Sequence, residues 1–109
     1  MTGIAQITPE MLKEMLDSNR DSFVLVDVRE QKEWDYCRIE GAVLRPLSEM
    51  SGWITGLDLD TSYVFMCHHG VRSMQAAAVA SSHSVKNVSN LSGGIHRWSS
   101  RVDPSVPRY

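Results

Sequence analysis

Two runs of adjacent apolar residues, Phe23-Val24-Leu25-Val26 and Tyr63-Val64-Phe65-Met66, constrain the fold of this chain more than any other feature. Each is short, unbroken and rich in branched or aromatic side chains. That is the pattern of a strand buried on both faces, as in a parallel sheet covered by helices. The segments around them alternate accordingly. Ile4 to Ile7 reads as a short strand, and Thr8-Pro9-Glu10 then opens a helix, with Thr8 as N-cap and Pro9 at the first helical position. Met11, Leu12, Met15 and Leu16 give that helix one apolar face before it stops in Asp17-Ser18-Asn19. Glu30 to Tyr36 reads as helical, Ala42 to Leu44 as a short strand, and Pro46 to Leu57 as helical in part, interrupted by Gly52 and Gly56. After Cys67 the pattern predicts a helix over Val71 to Ser82, a last strand over Val85 to Leu91, a Gly93-Gly94 turn and a final helix from Ile95 to Ser99. The implied fold is α/β: three layers, α/β/α, around a central parallel sheet of about five strands. Ligands of such sheets sit beyond the carboxyl ends of the strands, and Cys67 ends one of them.

A chain of 109 residues fits one domain, expected here over residues 1–101, with 102–109 as a loose tail in which Pro104 and Pro107 prevent regular structure. With 42% apolar and 22% charged residues the composition argues against disorder. A net charge of −2 leaves no basic footprint for nucleic acid or anionic lipid. The apolar runs are far too short to span a membrane. The start, Met-Thr-Gly-Ile-Ala-Gln, lacks the pattern of an export signal, so a cytoplasmic location is expected, where Cys37 and Cys67 stay reduced.

Cys67-His68-His69-Gly70-Val71-Arg72-Ser73 joins a buried strand to an Ala-rich helix. A tight bend there turns successive backbone N–H groups inward, and Gly70 permits the positive φ such a bend needs. The helix N-terminus contributes a partial positive charge and Arg72, expected to point inward, a full one. These donors favour a thiolate at Cys67, lowering its pKa below the free value of about 8.5, and they form a cradle for an anion. A buried, inert cysteine is the competing reading.

Four motifs in order make the chain resemble the rhodanese family over nearly its whole length. They are Val26-Asp27-Val28-Arg29-Glu30 with Glu33-Trp34; Ile39-Glu40-Gly41-Ala42 with Arg45-Pro46-Leu47; Cys67 to Ser73; and Leu91-Ser92-Gly93-Gly94 with Trp98. The resemblance implies a sulfurtransferase in which Cys67 carries a persulfide, and it carries the family's active-loop roles onto His68, His69, Gly70, Val71 and Arg72. It implies a double displacement. A donor such as thiosulfate loads Cys67, and cyanide or a thiol, such as that of a sulfur-accepting protein, unloads it, with no metal or organic cofactor. Two departures stand out: Cys37-Arg38 replaces the family's frequent Gly-His, and Ser84 stands where a glycine usually ends the helix after the loop, which implies strain. Phosphatases of related fold have a loop one residue longer between cysteine and arginine, and the shorter loop here suits one sulfur better than phosphate.

Around this core, Asp27 and Arg29 are expected to be supporting and structural, with Arg29 paired to Glu33 and Asp27 accepting loop N–H bonds; Ser73 supports the loop. His68 and His69 are candidate proton donors. Cys37 is read as a bystander, although attack on a Cys67 persulfide would make a Cys37–Cys67 disulfide. The cysteines and histidines contain no Cys-x-x-Cys or His-x-x-x-His pair, so no metal site is expected. Trp34, Trp53 and Trp98 read as core or rim aromatics. A persulfide carrier that works with a partner protein stays open beside the enzyme.

Overall fold

Along the strand Ser62–Met66 successive side chains leave on opposite faces, and the core divides accordingly. Tyr63, Phe65 and the following Cys67 join one apolar layer with Ile54, Ala76, Ala77, Ala80, Val85 and Val88. Val64 and Met66 join the other with Leu12, Leu16, Leu25, Leu91, Ile95 and Trp98. The computed structural model describes residues 4–109. In chain order the elements are β1 (Ala5–Ile7), α1 (Pro9–Ser18), β2 (Val24–Asp27), α2 (Gln31–Tyr36), β3 (Val43–Leu44), α3 (Met50–Trp53), β4 (Ser62–Met66), α4 (Val71–Ser82), β5 (Asn87–Leu91) and α5 (Gly94–Arg101). Short 3₁₀ turns cover Arg20–Ser22, Leu47–Glu49 and Ile54–Gly56. The five strands form one parallel sheet in the order β1-β5-β4-β2-β3. The expected α/β fold is therefore present, with β4 at the centre of the sheet.

Local chemistry sets the ends of the elements. The Thr8 hydroxyl accepts from the Met11 N–H and Pro9 occupies the first turn of α1. Glu30 and Glu33 cap α2 reciprocally, each side chain bonding the other's backbone N–H. The helix expected over Pro46 to Leu57 is one turn of α-helix between two 3₁₀ turns.

The last expected strand is shorter at its start than the apolar pattern implies, because Val85 is needed to close α4. The Ser84 N–H donates to Ser81 O (3.0 Å) and the Val85 N–H to Ala80 O (3.2 Å), the paired bonds of a Schellman end. Ser84 has φ +74°, the one non-glycine in the left-handed region among the described residues. The strain expected from serine at this position is thus in the backbone.

Residues 102–109 form no helix or strand, as Pro104 and Pro107 dictate, yet they are packed rather than loose. Val106 is buried, its carbonyl accepts from the Ser99 hydroxyl at 2.5 Å, and Tyr109 reaches Arg29 and Glu33. No described helix is long and apolar enough to cross a membrane.

Candidate functional site

β4 delivers Cys67 at its carboxyl end, and the chain turns at once into α4. Gly70, the residue before the helix, has φ +103°, a conformation that a side chain resists. It also has no side chain with which to cap α4. The Cys67 sulfur takes that role. It accepts from the Gly70 N–H at 3.1 Å, from the Ser73 N–H at 3.3 Å, and lies 3.3 Å from the Ser73 hydroxyl. The Ser73 amide is one of the donors that the first turn of a helix leaves unpaired. Cys67 is only 1% exposed and belongs to an apolar layer, yet two backbone N–H groups and a hydroxyl are aimed at its sulfur. Negative charge on this sulfur gains from three donors and from the positive end of α4.

Ser73 ties the cradle to the sheet. Its hydroxyl lies 2.5 Å from Asn90 Oδ1, and the Asn90 amide donates to Gln6 Oε1 (3.0 Å) and Gly70 O (3.4 Å). Sequence reasoning passed over Asn90. The available signal was an asparagine between Val88 and Leu91 at the end of a strand, a residue that is buried only when hydrogen-bonded. A cleft of about 550 Å³ opens beside the loop, lined in part by His69, Gly70, Val71 and Asn90. Val71, 78% exposed, crests the loop.

Arg72 does not turn its guanidinium onto the sulfur. It forms a two-pronged pair with Glu33, 2.7 Å to Oε1 and 2.8 Å to Oε2, while staying near enough for its charge and that of Cys67 to interact. Glu33 also accepts from the Glu30 N–H (3.1 Å) and from the Tyr109 hydroxyl (2.7 Å). With Arg72 as the chief cause, its carboxyl is held at about 2, although burial opposes the shift.

The stability this group supplies, about 2 kcal/mol after allowance for solvent screening of a part-exposed pair, is present above its unfolded pKa near 4.5 and is lost as the pH falls through about 2. In urea melts, Glu33→Gln is expected to fall below wild type at neutral pH and to converge on it near pH 2. Curves that stay parallel would remove the linkage.

The expected Arg29–Glu33 ion pair is absent, since Glu33 is taken by Arg72. Arg29 pairs with Asp27 instead, Nη2 to Oδ2 at 2.7 Å, with both side chains fully buried. Nε lies 3.0 and 3.1 Å from the two Asp27 oxygens, and Asp27 also accepts the Arg29 backbone N–H at 3.0 Å, the kind of loop bond expected of it. Remaining guanidinium donors reach Cys37 O (2.6 Å), Tyr109 Oη (2.8 Å) and Glu33 O (3.4 Å). This cluster pins β2, α2 and the C-terminal segment together beside the loop.

His68 and His69 follow Cys67, and α5 adds His96 to them. The Ile95 N–H donates to Cys67 O at 2.8 Å and the His96 N–H to His68 O at 3.1 Å. Gly94, with φ +60°, lets α5 come this close to the loop backbone. The His68 ring lies flat on Tyr109, 4.0 Å between centroids and 5° between planes. Burial, and then the neighbouring His69, keep the His68 pKa below its ordinary value. Cys37 and Cys67 are both free thiols, and they pack in the two different apolar layers, which argues against the disulfide reading.

A parallel sheet with a cysteine cradled at the end of its central strand defines a family as well as a site. Residues 8–101 match the rhodanese-like domain, and the chain belongs to that family. It is similar to a probable adenylyltransferase/sulfurtransferase, MoeZ, of Mycobacterium tuberculosis, 36% identical over 105 residues, which cover 94% of this chain and 26% of that protein. The chain therefore spans about a quarter of that relative. It is also similar to the thiosulfate sulfurtransferase GlpE of Pseudomonas fluorescens, 30% identical over 92% of this chain and 89% of the relative. Among solved structures, a rhodanese-related protein from Thermoplasma volcanium superposes with a TM-score of 0.81 at 28% identity, covering 96% of this chain and 99% of that one.

Proposed function

We propose that this chain is a sulfurtransferase that moves a sulfane sulfur from a donor such as thiosulfate to a thiophilic acceptor through a persulfide on Cys67. The observation that carries the reading is the convergence of the Gly70 N–H, the Ser73 N–H and the Ser73 hydroxyl on one sulfur at 3.1–3.3 Å. The relatives known as sulfurtransferases support sulfur transfer as the general chemistry, and the thiosulfate sulfurtransferase among them supports thiosulfate as donor.

In the first half-reaction the Cys67 thiolate attacks the outer sulfur of thiosulfate. An S–S bond forms, the donor's S–S bond breaks, and sulfite leaves with the electron pair. In the second, the acceptor nucleophile attacks the outer persulfide sulfur, and the electron pair of the broken S–S bond returns to Cys67 as thiolate. The chain supplies a nucleophile and donors fixed before charge arrives. Gly70 and Ser73 hold the anionic sulfur; His68, His69, Val71 and Arg72 complete the loop; Asp27 and Arg29 hold it in place. A cytoplasmic setting and a sulfur-accepting protein belong to this reading, which needs reduced thiols.

Intact mass after thiosulfate treatment tests it. Wild type and Cys37→Ser are expected to gain one sulfur atom, and Cys67→Ser none. Loading of Cys67→Ser would end the proposal. The exposed Val71 crest, suited to contact with another protein, favours a carrier as the second reading. Repeated turnover of thiosulfate plus cyanide identifies the enzyme, and one-time loading without turnover identifies the carrier.

A further inference from the structure

Three of the four histidines of the chain meet at one point, although the sequence separates His96 widely from the other two. One nitrogen from each of His68, His69 and His96 lies within 4.8 Å of the other two. The ring centroids are 4.0 Å apart for His68–His69, 4.9 Å for His69–His96 and 6.0 Å for His68–His96. The backbone bond from the His96 N–H to His68 O holds the two segments together at this point.

The second observation concerns what these rings lack. Nε2 of His68 and Nδ1 of His96 are both buried and have no hydrogen-bond partner. A buried polar nitrogen is seldom left unpaired, and two such atoms in one cluster mark a place built for something else to bind.

We propose that His68, His69 and His96 form a binding site for one divalent transition-metal ion of the zinc type, with three imidazole ligands and a fourth position left open. Imidazole nitrogen suits zinc, copper and nickel, and no carboxylate stands in the set to favour magnesium or calcium. At Zn–N distances of about 2.0–2.1 Å, two ligands of a tetrahedral ion lie roughly 3.3 Å apart, so the rings need to close by about 1.5 Å at most. His69 is exposed and free to supply that movement, and it gives the ion its way in. The flat contact with Tyr109 fixes the His68 ring. The site shares His68 and His69 with the Cys67 loop but uses neither the Cys67 sulfur nor the amides around it.

Cobalt(II) is the probe. Titrated into the chelator-treated full chain, it should bind one ion per chain, give the visible d–d absorption of a low-coordinate site, and be displaced by zinc(II). Affinity should fall at least about tenfold in His69→Ala and in His96→Ala, as expected for a lost ligand. His83→Ala should bind as wild type does, because His83 lies at the end of α4, beside Val79 O. If His96→Ala does not fold by circular dichroism, His69→Ala decides alone, since that ring stands at an exposed loop position. Absence of stoichiometric binding, or equal binding by the ligand variants, would overturn the assignment. So would a thiolate-to-cobalt charge-transfer band that disappears in Cys67→Ser.

Discussion

Arg29→Met is expected to destabilise the protein by about 3–5 kcal/mol, read as a lower urea midpoint by circular dichroism. The substitution keeps an unbranched apolar stem and removes the guanidinium. Asp27 is then left fully buried with its charge facing one backbone N–H, from Arg29 itself. Cys37 O and Tyr109 Oη lose their short contacts to the guanidinium at the same time. For a domain whose whole stability is on the order of 5–15 kcal/mol, that loss is a large share. The double variant Asp27→Asn/Arg29→Met should recover a good part of it, because the buried charge is gone. A single variant within about 1 kcal/mol of wild type would show that the pair is dispensable.

Gly94→Ala should damage stability and sulfur loading together. A methyl group at Gly94 would fall well inside contact distance of the carbonyl oxygens of Cys67 and His68, and φ +60° is already unfavourable for alanine. Those oxygens belong to the backbone and accept the Ile95 and His96 N–H groups, so they cannot yield without opening the loop. Shifting the loop amides by about 1 Å costs on the order of 100-fold in rate, which thiosulfate-loading kinetics followed by mass would read. Gly52→Ala is the control. A Cβ at Gly52 meets nothing within 4 Å, and that variant should load as wild type does. Equal behaviour of the two variants would detach α5 from the site.

The architecture was legible because its signals are local. The two apolar runs became β2 and β4, the Thr8-Pro9 pair opened α1, and the Ala-rich segment became α4. The Cys67–Gly70 bend was legible for the same reason, since a strand, a glycine and a helix follow each other directly. What the sequence hid lies across the chain. Arg72 and Glu33 meet only after the sheet has formed, so neither the destination of Arg72 nor the availability of Arg29 for Asp27 could be read from spacing. Tyr109 is the plainest case. Two nearby prolines correctly exclude helix and strand from its segment, but they carry no information about a ring that stacks on His68. His96 was hidden likewise: metal-site spacings describe ligands on one element, and here two elements bring the rings together.

The Ser73 hydroxyl has a single hydrogen and two acceptors, Asn90 Oδ1 at 2.5 Å and the Cys67 sulfur at 3.3 Å. While the thiol is neutral, the amide oxygen is the stronger acceptor and keeps that hydrogen. Charge on the sulfur reverses the order, and the hydroxyl rotor swings towards it, leaving Asn90 with one bond fewer. Asn90 in turn holds Gln6 on β1, at the far edge of the sheet. One chain of hydrogen bonds thus runs from the buried sulfur through Ser73 and Asn90 to the margin of the sheet.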